Sequence, residues 1–104
     1  MKYIVVFITA SSIKEARKIA LVLLSKKVAA CVNIIKGVES FFVWQGKKER
    51  AKEILLIAKT EISHFEELKK QVKKAHSYKT PEIIALPIIA ANKEYLKWIE
   101  ESVR

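Results

Sequence analysis

The chain opens on a run, Lys2 to Thr9, in which both alternating positions are apolar: Tyr3, Val5 and Phe7 on one side, Ile4, Val6 and Ile8 on the other. A strand apolar on both faces needs cover on both faces, so the pattern predicts a central strand. The period then changes. Ile13, Ala16, Ala20, Leu23 and Leu24 recur at helical spacing behind Ser12-Ile-Lys-Glu15, a capping box that satisfies the first free N–H groups of a helix over about residues 13–26. Ala29 to Gln45 reads as one long strand interrupted at Gly37, where a bulge is expected. Gln45-Gly46-Lys47 is the turn into a second long strand, Lys47 to Thr60. Ser63-His-Phe-Glu66 repeats the capping pattern ahead of the stripe Phe65, Leu68, Val72 and Ala75. Glu66 and Glu67 at that helix's start and Lys73 and Lys74 at its end suit the helix dipole. Glu82 to Ile88 is a last strand, which Pro87 confines to an edge or an end. Asn92 caps a terminal helix that carries Tyr95, Leu96, Ile99 and Val103 inward.

The order is β-α-β-β-α-β plus a helix, which predicts an α+β, ferredoxin-like sandwich with a long central hairpin, one domain over residues 1–104. Two magnitudes point away from a monomer. The 17 residues from Ala29 to Gln45 would run roughly 55 Å as a straight strand. A compact domain of this length is only roughly 34 Å across. Unless it bends sharply at Gly37, the hairpin overhangs its own domain by roughly 20 Å and carries Phe41, Phe42, Val43 and Trp44 into the overhang. That is too much apolar surface for an isolated two-stranded ribbon. The first and last strands are also apolar on both faces, whereas the helices of such a fold lie mostly on one. A neighbouring copy of the chain is the simplest cover.

Composition fits this picture. With 51% hydrophobic residues and only two glycines and two prolines among 104 residues, neither disorder nor a linker is expected. Cys31 is the only cysteine, so an intrachain disulfide is impossible, which suits a reducing cytoplasm. The apolar start lacks a small-x-small cleavage site, and the strand reading accounts for it better than a signal peptide does. The longest other apolar run, Ile83 to Ala91, is too short to span a bilayer and contains Pro87, so no membrane segment is expected. The net charge of +9 would steer the chain toward polyanions, but its lysines are spread from Lys2 to Lys97 and interleave with glutamates. Every acid is a glutamate. Lysine- and glutamate-rich usage resembles a heat-adapted proteome, though an AT-rich genome would produce a similar bias.

Several segments together carry a family resemblance. Ala30-Cys-Val-Asn33, Gly37, Ser40, Phe42, Trp44, Gly46-Lys47, Glu49 and Lys59-Thr60 come first; His76-Ser-Tyr78, Pro81-Glu82-Ile-Ile-Ala-Leu-Pro87 and Tyr95-Leu-Lys-Trp98 follow in the same order. This series resembles the signature of the CutA divalent-cation tolerance family over essentially residues 2–104. The resemblance implies a ferredoxin-like fold, a tight homotrimer whose long hairpins wrap neighbouring subunits, and a part in tolerance to copper and other divalent metal ions. The family's trimer also resembles the PII signalling proteins, so a small-ligand sensor is the alternative it leaves open.

The resemblance also points to residues. His76 and Cys31 are the metal candidates it implies, for a divalent ion such as Cu²⁺ that the fold does not require. A fuller form of the motif has two adjacent histidines where this chain has Ala75-His76, and a first-strand cysteine that ligates copper in some members is Ile8 here. The only other histidine, His64, lies 12 residues from His76, roughly 18 Å away at the other end of a helix. The competing readings are a hydrogen-bonded packing role for His76 and a small buried hydrophobe for Cys31. Trp44, Glu49, Lys59, Tyr78 and Glu82 match polar and aromatic positions of the signature. They either line a ligand-binding cleft between subunits or serve as an interface anchor and ion pairs.

No catalytic constellation accompanies them. There is no glycine-rich phosphate loop, no aspartate for a Ser-His-Asp triad and no serine in a nucleophile elbow, so no enzyme activity is expected. For nucleic acid, the densest basic stretch is Lys69, Lys70, Lys73, Lys74 and Lys79, and Phe41, Phe42 and Trp44 would have to stack bases as in an RRM. The RRM aromatic signature on a central strand is missing, and no nucleic-acid partner is expected.

Overall fold

The computed structural model describes residues 2–104. Strand β1 (Tyr3–Ala10) is central, as its double apolar pattern requires. It pairs antiparallel with β3 (Lys47–Glu61) on one side and with β4 (Ile83–Pro87) on the other. Strand β2 (Cys31–Trp44) pairs antiparallel with β3, giving the sheet order β2-β3-β1-β4. Helices α1 (Ile13–Ser25), α2 (Phe65–Ala75) and α3 (Lys93–Ser102) complete an α+β chain. Pro87 ends β4, the edge strand, where a missing N–H costs no ladder bond.

Register fixes the core. Ile4, Val6, Ile8 and Ala10 stand opposite Thr60, Ala58, Leu56 and Ile54, and the same face continues to Val32 and Ile34 on β2. Ala16, Ile19 and Leu23 of α1 and Leu68 and Val72 of α2 close over it, all fully buried. Each large aliphatic side chain so buried contributes about 1.5–3 kcal/mol relative to exposure. The first capping box forms: Ser12 Oγ accepts from the Glu15 N–H at 3.1 Å, while Glu15 reaches back to the Ser11 N–H. The helix ends at Lys27, which takes the left-handed conformation (φ 57°), and the Val28 N–H returns to the Leu23 carbonyl in a Schellman closure.

The second capping box does not form. Strand β3 continues to Glu61, whose partner is Tyr3, and the chain then turns through one 3-10 turn, Ile62–His64, anchored by Ile62 N–H to Lys2 O at 2.7 Å. Ser63 is spent inside that turn, so α2 starts after His64 with no side-chain cap.

By register Tyr3, Cys31 and Lys59 share the face opposite α1 and α2, and α3 docks at that end of it. The Tyr3 hydroxyl and Lys2 Nζ both donate to Glu100, each at 2.9 Å, and Ile99 and Val103 are buried. Elsewhere on this face Ile35, Ile84 and Leu86 stay exposed. The cover expected for a doubly apolar sheet is therefore partly α3, and the rest is open in the single chain.

The ribbon of β2 and β3 extends the molecule to 44 Å along its longest axis, against 26 and 23 Å across. Its tip is a two-residue turn, Gln45 and Gly46, both at positive φ (50° and 77°), the geometry that matches the twist of the flanking strands. Between Ile35 and Val38, β2 spends one residue more than β3 does between Leu55 and Glu53, and Gly37 sits there at φ 79°. This is the expected bulge.

Candidate functional site

Beyond the bulge, Val38, Ser40, Phe42 and Trp44 pair with Glu53, Ala51, Glu49 and Lys47, and cross-strand partners share a face. That face forms one wall of an open cleft of about 690 Å³. The opposite wall is the segment leaving α2, through Tyr78, Lys79, Thr80 and Glu82, and Thr9 closes the inner end.

His76 sets that second wall. Its Nδ1 accepts the Tyr78 backbone N–H at 3.0 Å. An amide can only donate, so the ring proton sits on Nε2, which donates to the Thr9 carbonyl at 2.6 Å. Both ring nitrogens are thus engaged. The ring also lies against that of Tyr78, centroids 4.8 Å apart. Glu15 steadies the same segment by accepting the Ser77 N–H at 2.9 Å. Burial pushes the Glu15 carboxyl up, but the bonds from Ser77 and Ser11 together outweigh it and hold the group below its ordinary value.

So positioned, the Tyr78 hydroxyl reaches across the cleft and donates to Glu53 Oε2 at 3.0 Å. Glu53 is only 8% exposed and forms no ion pair among the described residues. Its charge is felt by its neighbours. Burial, then the Glu53 carboxylate, raises the Glu82 carboxyl; burial, then the bond to Glu53, raises the Tyr78 phenol. In a chain of net charge +9 this cleft holds three glutamates, Glu49, Glu53 and Glu82, against the single Lys79.

Of the residues expected in a cleft, Trp44, Glu49, Tyr78 and Glu82 line this one. Lys59 does not. It lies six residues from Glu53 along β3, about 20 Å up the strand, opposite Cys31. There its ammonium donates to Asn33 Oδ1 and lies 3.9 Å from Cys31 Sγ. Cys31 is half-buried at the α3 end of the sheet, while His76 is fixed to Thr9 at the other end, so the two metal candidates are not brought together. Among the described residues no three His, Cys or Glu side chains converge closely enough to hold a metal ion. The residue that sequence reasoning missed is Glu53. Its signal was present: it shares the alternation of Glu49 and opens an otherwise apolar run, Ile54 to Ala58, where a charge pointing the same way needs a reason.

The basic residues of α2 lie apart from the hairpin aromatics. Lys69, Lys70, Lys73 and Lys74 flank Glu66 and Glu67 around a separate shallow hollow that contains none of them. No helix of the described residues is long and apolar enough to cross a membrane.

Comparison with known proteins gives one consistent result. Residues 4–102 match the family model described as CutA1 divalent ion tolerance protein. The divalent-cation tolerance protein CutA of Archaeoglobus fulgidus is 51% identical over 98 residues, covering 94% of this chain and 95% of that protein. A rice relative, the chloroplastic protein CutA 1 of Oryza sativa subsp. japonica, is 44% identical over 97% of this chain and 57% of its own longer sequence. Among solved structures, that of the periplasmic divalent cation tolerance protein CutA from A. fulgidus superposes with a TM-score of 0.95 at 49% identity, covering 98% of this chain and 99% of that one.

Proposed function

Because the chain belongs to the CutA1 divalent ion tolerance family, we propose that it acts as a non-catalytic divalent-cation-binding protein, a homotrimer of ferredoxin-like subunits with its site in the cleft beneath the hairpin. The observation that carries this reading is Glu53 beside Glu82 in one acidic cleft, with Glu53 buried and, among the described residues, lacking a cationic partner. A buried carboxylate is costly unless something positive answers it.

The donors are oxygens, which suit hard and borderline divalent ions. Among first-row metals any such site ranks Cu²⁺ highest, so copper is the ion expected to bind tightest. Among the described residues no three donors converge, so in this reading the ion is held where a neighbouring subunit completes the shell. His76 then works as the post that positions Tyr78, because metal ligation would cost it one of two hydrogen bonds. Support for the trimer comes from the ribbon, whose Phe41 and Val43 are both more than 70% exposed, and from the open apolar residues Ile35, Ile84 and Leu86. A reducing cytoplasm as the place of action rests on the lone, unpaired Cys31.

Sedimentation equilibrium at micromolar concentration should return three times 11.9 kDa. Calorimetric titration of that species with Cu²⁺, Zn²⁺ and Mn²⁺ should saturate, most tightly for Cu²⁺, and weaken in Glu53→Gln. A monomer, or heats that do not saturate, would sink the reading.

A further inference from the structure

The spacing of the acidic groups in the cleft carries more than their number does. Glu49 and Glu53 are four residues apart on β3 and face the same way, about 13 Å between their positions along the strand. A single ion with oxygen ligands at about 2.0–2.6 Å cannot be shared by carboxylates so placed. Glu82 lies close enough to Glu53 for the two charges to interact. The cleft therefore has two acidic poles, an inner one at Glu53 and Glu82 and an outer one at Glu49.

Each pole has an aromatic wall. Tyr78 stands at the inner pole with its hydroxyl on Glu53. Phe42 is the cross-strand partner of Glu49 at the outer pole, with Trp44 two pairs further out on the same face. In the single chain Tyr78 is 37% exposed and Trp44 54%, and both rings line the cleft. A cation with an apolar body is attracted by both elements, the carboxylate and the ring face. Glu53 supplies the independent sign that a cation belongs here: it is more than nine-tenths buried, lines the cleft, and takes its one hydrogen bond from a neutral phenol. Lys79 lines the same cleft yet pairs with none of the three glutamates.

From this geometry we infer that the cleft binds an elongated organic polycation of the aliphatic polyamine class, one ammonium at Glu53 and Glu82, another at Glu49, and the methylene chain along Phe42 and Trp44. The inference rests on the reading of the cleft as a cation site and names a ligand class that spans both poles. Burial first, and then the Glu53 carboxylate, raises the Glu82 carboxyl, and an ammonium at the inner pole would relieve the second of these. Bridging also predicts selectivity: a monoamine reaches one pole only.

The test is calorimetric titration of the intact protein, in its native oligomeric state at low ionic strength, with spermidine, n-butylamine and Mn²⁺ separately. Spermidine should bind saturably and at least about tenfold more tightly than n-butylamine, since two charge-assisted contacts replace one. Glu53→Gln should weaken spermidine about tenfold or more; Glu49→Gln, outside the hydrophobic core and with the oligomeric state checked by sedimentation, should do so as well. Spermidine binding without Mn²⁺ binding supports the inference and leaves the divalent-ion reading to its own Cu²⁺ titration. Mn²⁺ binding without spermidine binding overturns the inference and leaves that reading intact, and binding of neither overturns the inference. Spermidine binding that both glutamine variants leave unchanged would locate the amine elsewhere and overturn the inference too.

Discussion

The Tyr78 hydroxyl donates to the Glu53 carboxylate across 25 residues of sequence, joining the segment that leaves α2 to the base of the ribbon. It is the only hydrogen bond given to Glu53 by a side chain among the described residues. Tyr78→Phe keeps the ring and removes the donor, leaving a buried carboxylate oxygen without its partner. The expected cost is about 1–3 kcal/mol. Guanidinium unfolding at matched protein concentration would measure it, with a falling midpoint and an unchanged slope.

His76→Ala separates a structural from a ligating histidine. The substitution removes the bond to Thr9 O and the acceptor for the Tyr78 N–H, both at a half-buried position. A loss of about 1–3 kcal/mol is expected from the two orphaned backbone groups. Divalent-ion affinity per folded trimer should change less than in Glu53→Gln. A collapse of metal binding with stability preserved would instead make His76 a ligand.

Acid should release α3 late. Bonds from Lys2, Tyr3 and Arg104 hold the Glu100 carboxyl down at about 2, against an ordinary value of 4.5. The folded pKa is depressed, so the contribution of this cluster is fully present above 4.5 and is lost as pH falls from there through about 2. The same contact raises the Lys2 ammonium, so the tether also persists into alkaline solution. Trp98 lies on α3, and its near-ultraviolet circular dichroism should therefore change only toward the bottom of that acid window. Glu100→Gln should remove the dependence.

Thr60 is fully buried on the core face of β3, and its hydroxyl has no hydrogen-bond partner among the described residues. Thr60→Val keeps the shape and removes the orphaned group. It should stabilise the fold by about 1 kcal/mol, read as a higher unfolding midpoint at matched concentration. A lower midpoint would mean that the hydroxyl has a partner in solution.

What the sequence made legible is what local rules decide. The double alternation of β1, the Gly37 bulge and the Gln45-Gly46 turn follow from side-chain period and from the backbone freedom of glycine, and all three are present. The Ser63 cap was not legible, because β3 is prolonged by pairing with Tyr3, a partner 58 residues away. Lys59 illustrates the same limit at the site. It shares the alternation of Glu49 and Glu53, so its face was right, but only the packed sheet says that it sits beneath α3 and not beneath the hairpin. Glu53 was overlooked because a lone charge at the mouth of an apolar strand reads as a solvated end until Tyr78 is seen to cover it.

The extra residue at the bulge sets the parity of everything distal to it. Were the same residues to run through as a regular strand, Ile35 would be followed on its face by Gly37, Glu39, Phe41 and Val43; with the bulge, that face carries Val38, Ser40, Phe42 and Trp44. Deleting one residue at Lys36 or Gly37 would remove the bulge and leave the same side chains on that face, whereas ironing the bulge out at constant length would exchange the two surfaces of the outer ribbon. In that second case Val43 would face the cleft, and Trp44 would turn away from it. The glycine thus acts as a phase marker for which aromatic side chains the cleft receives.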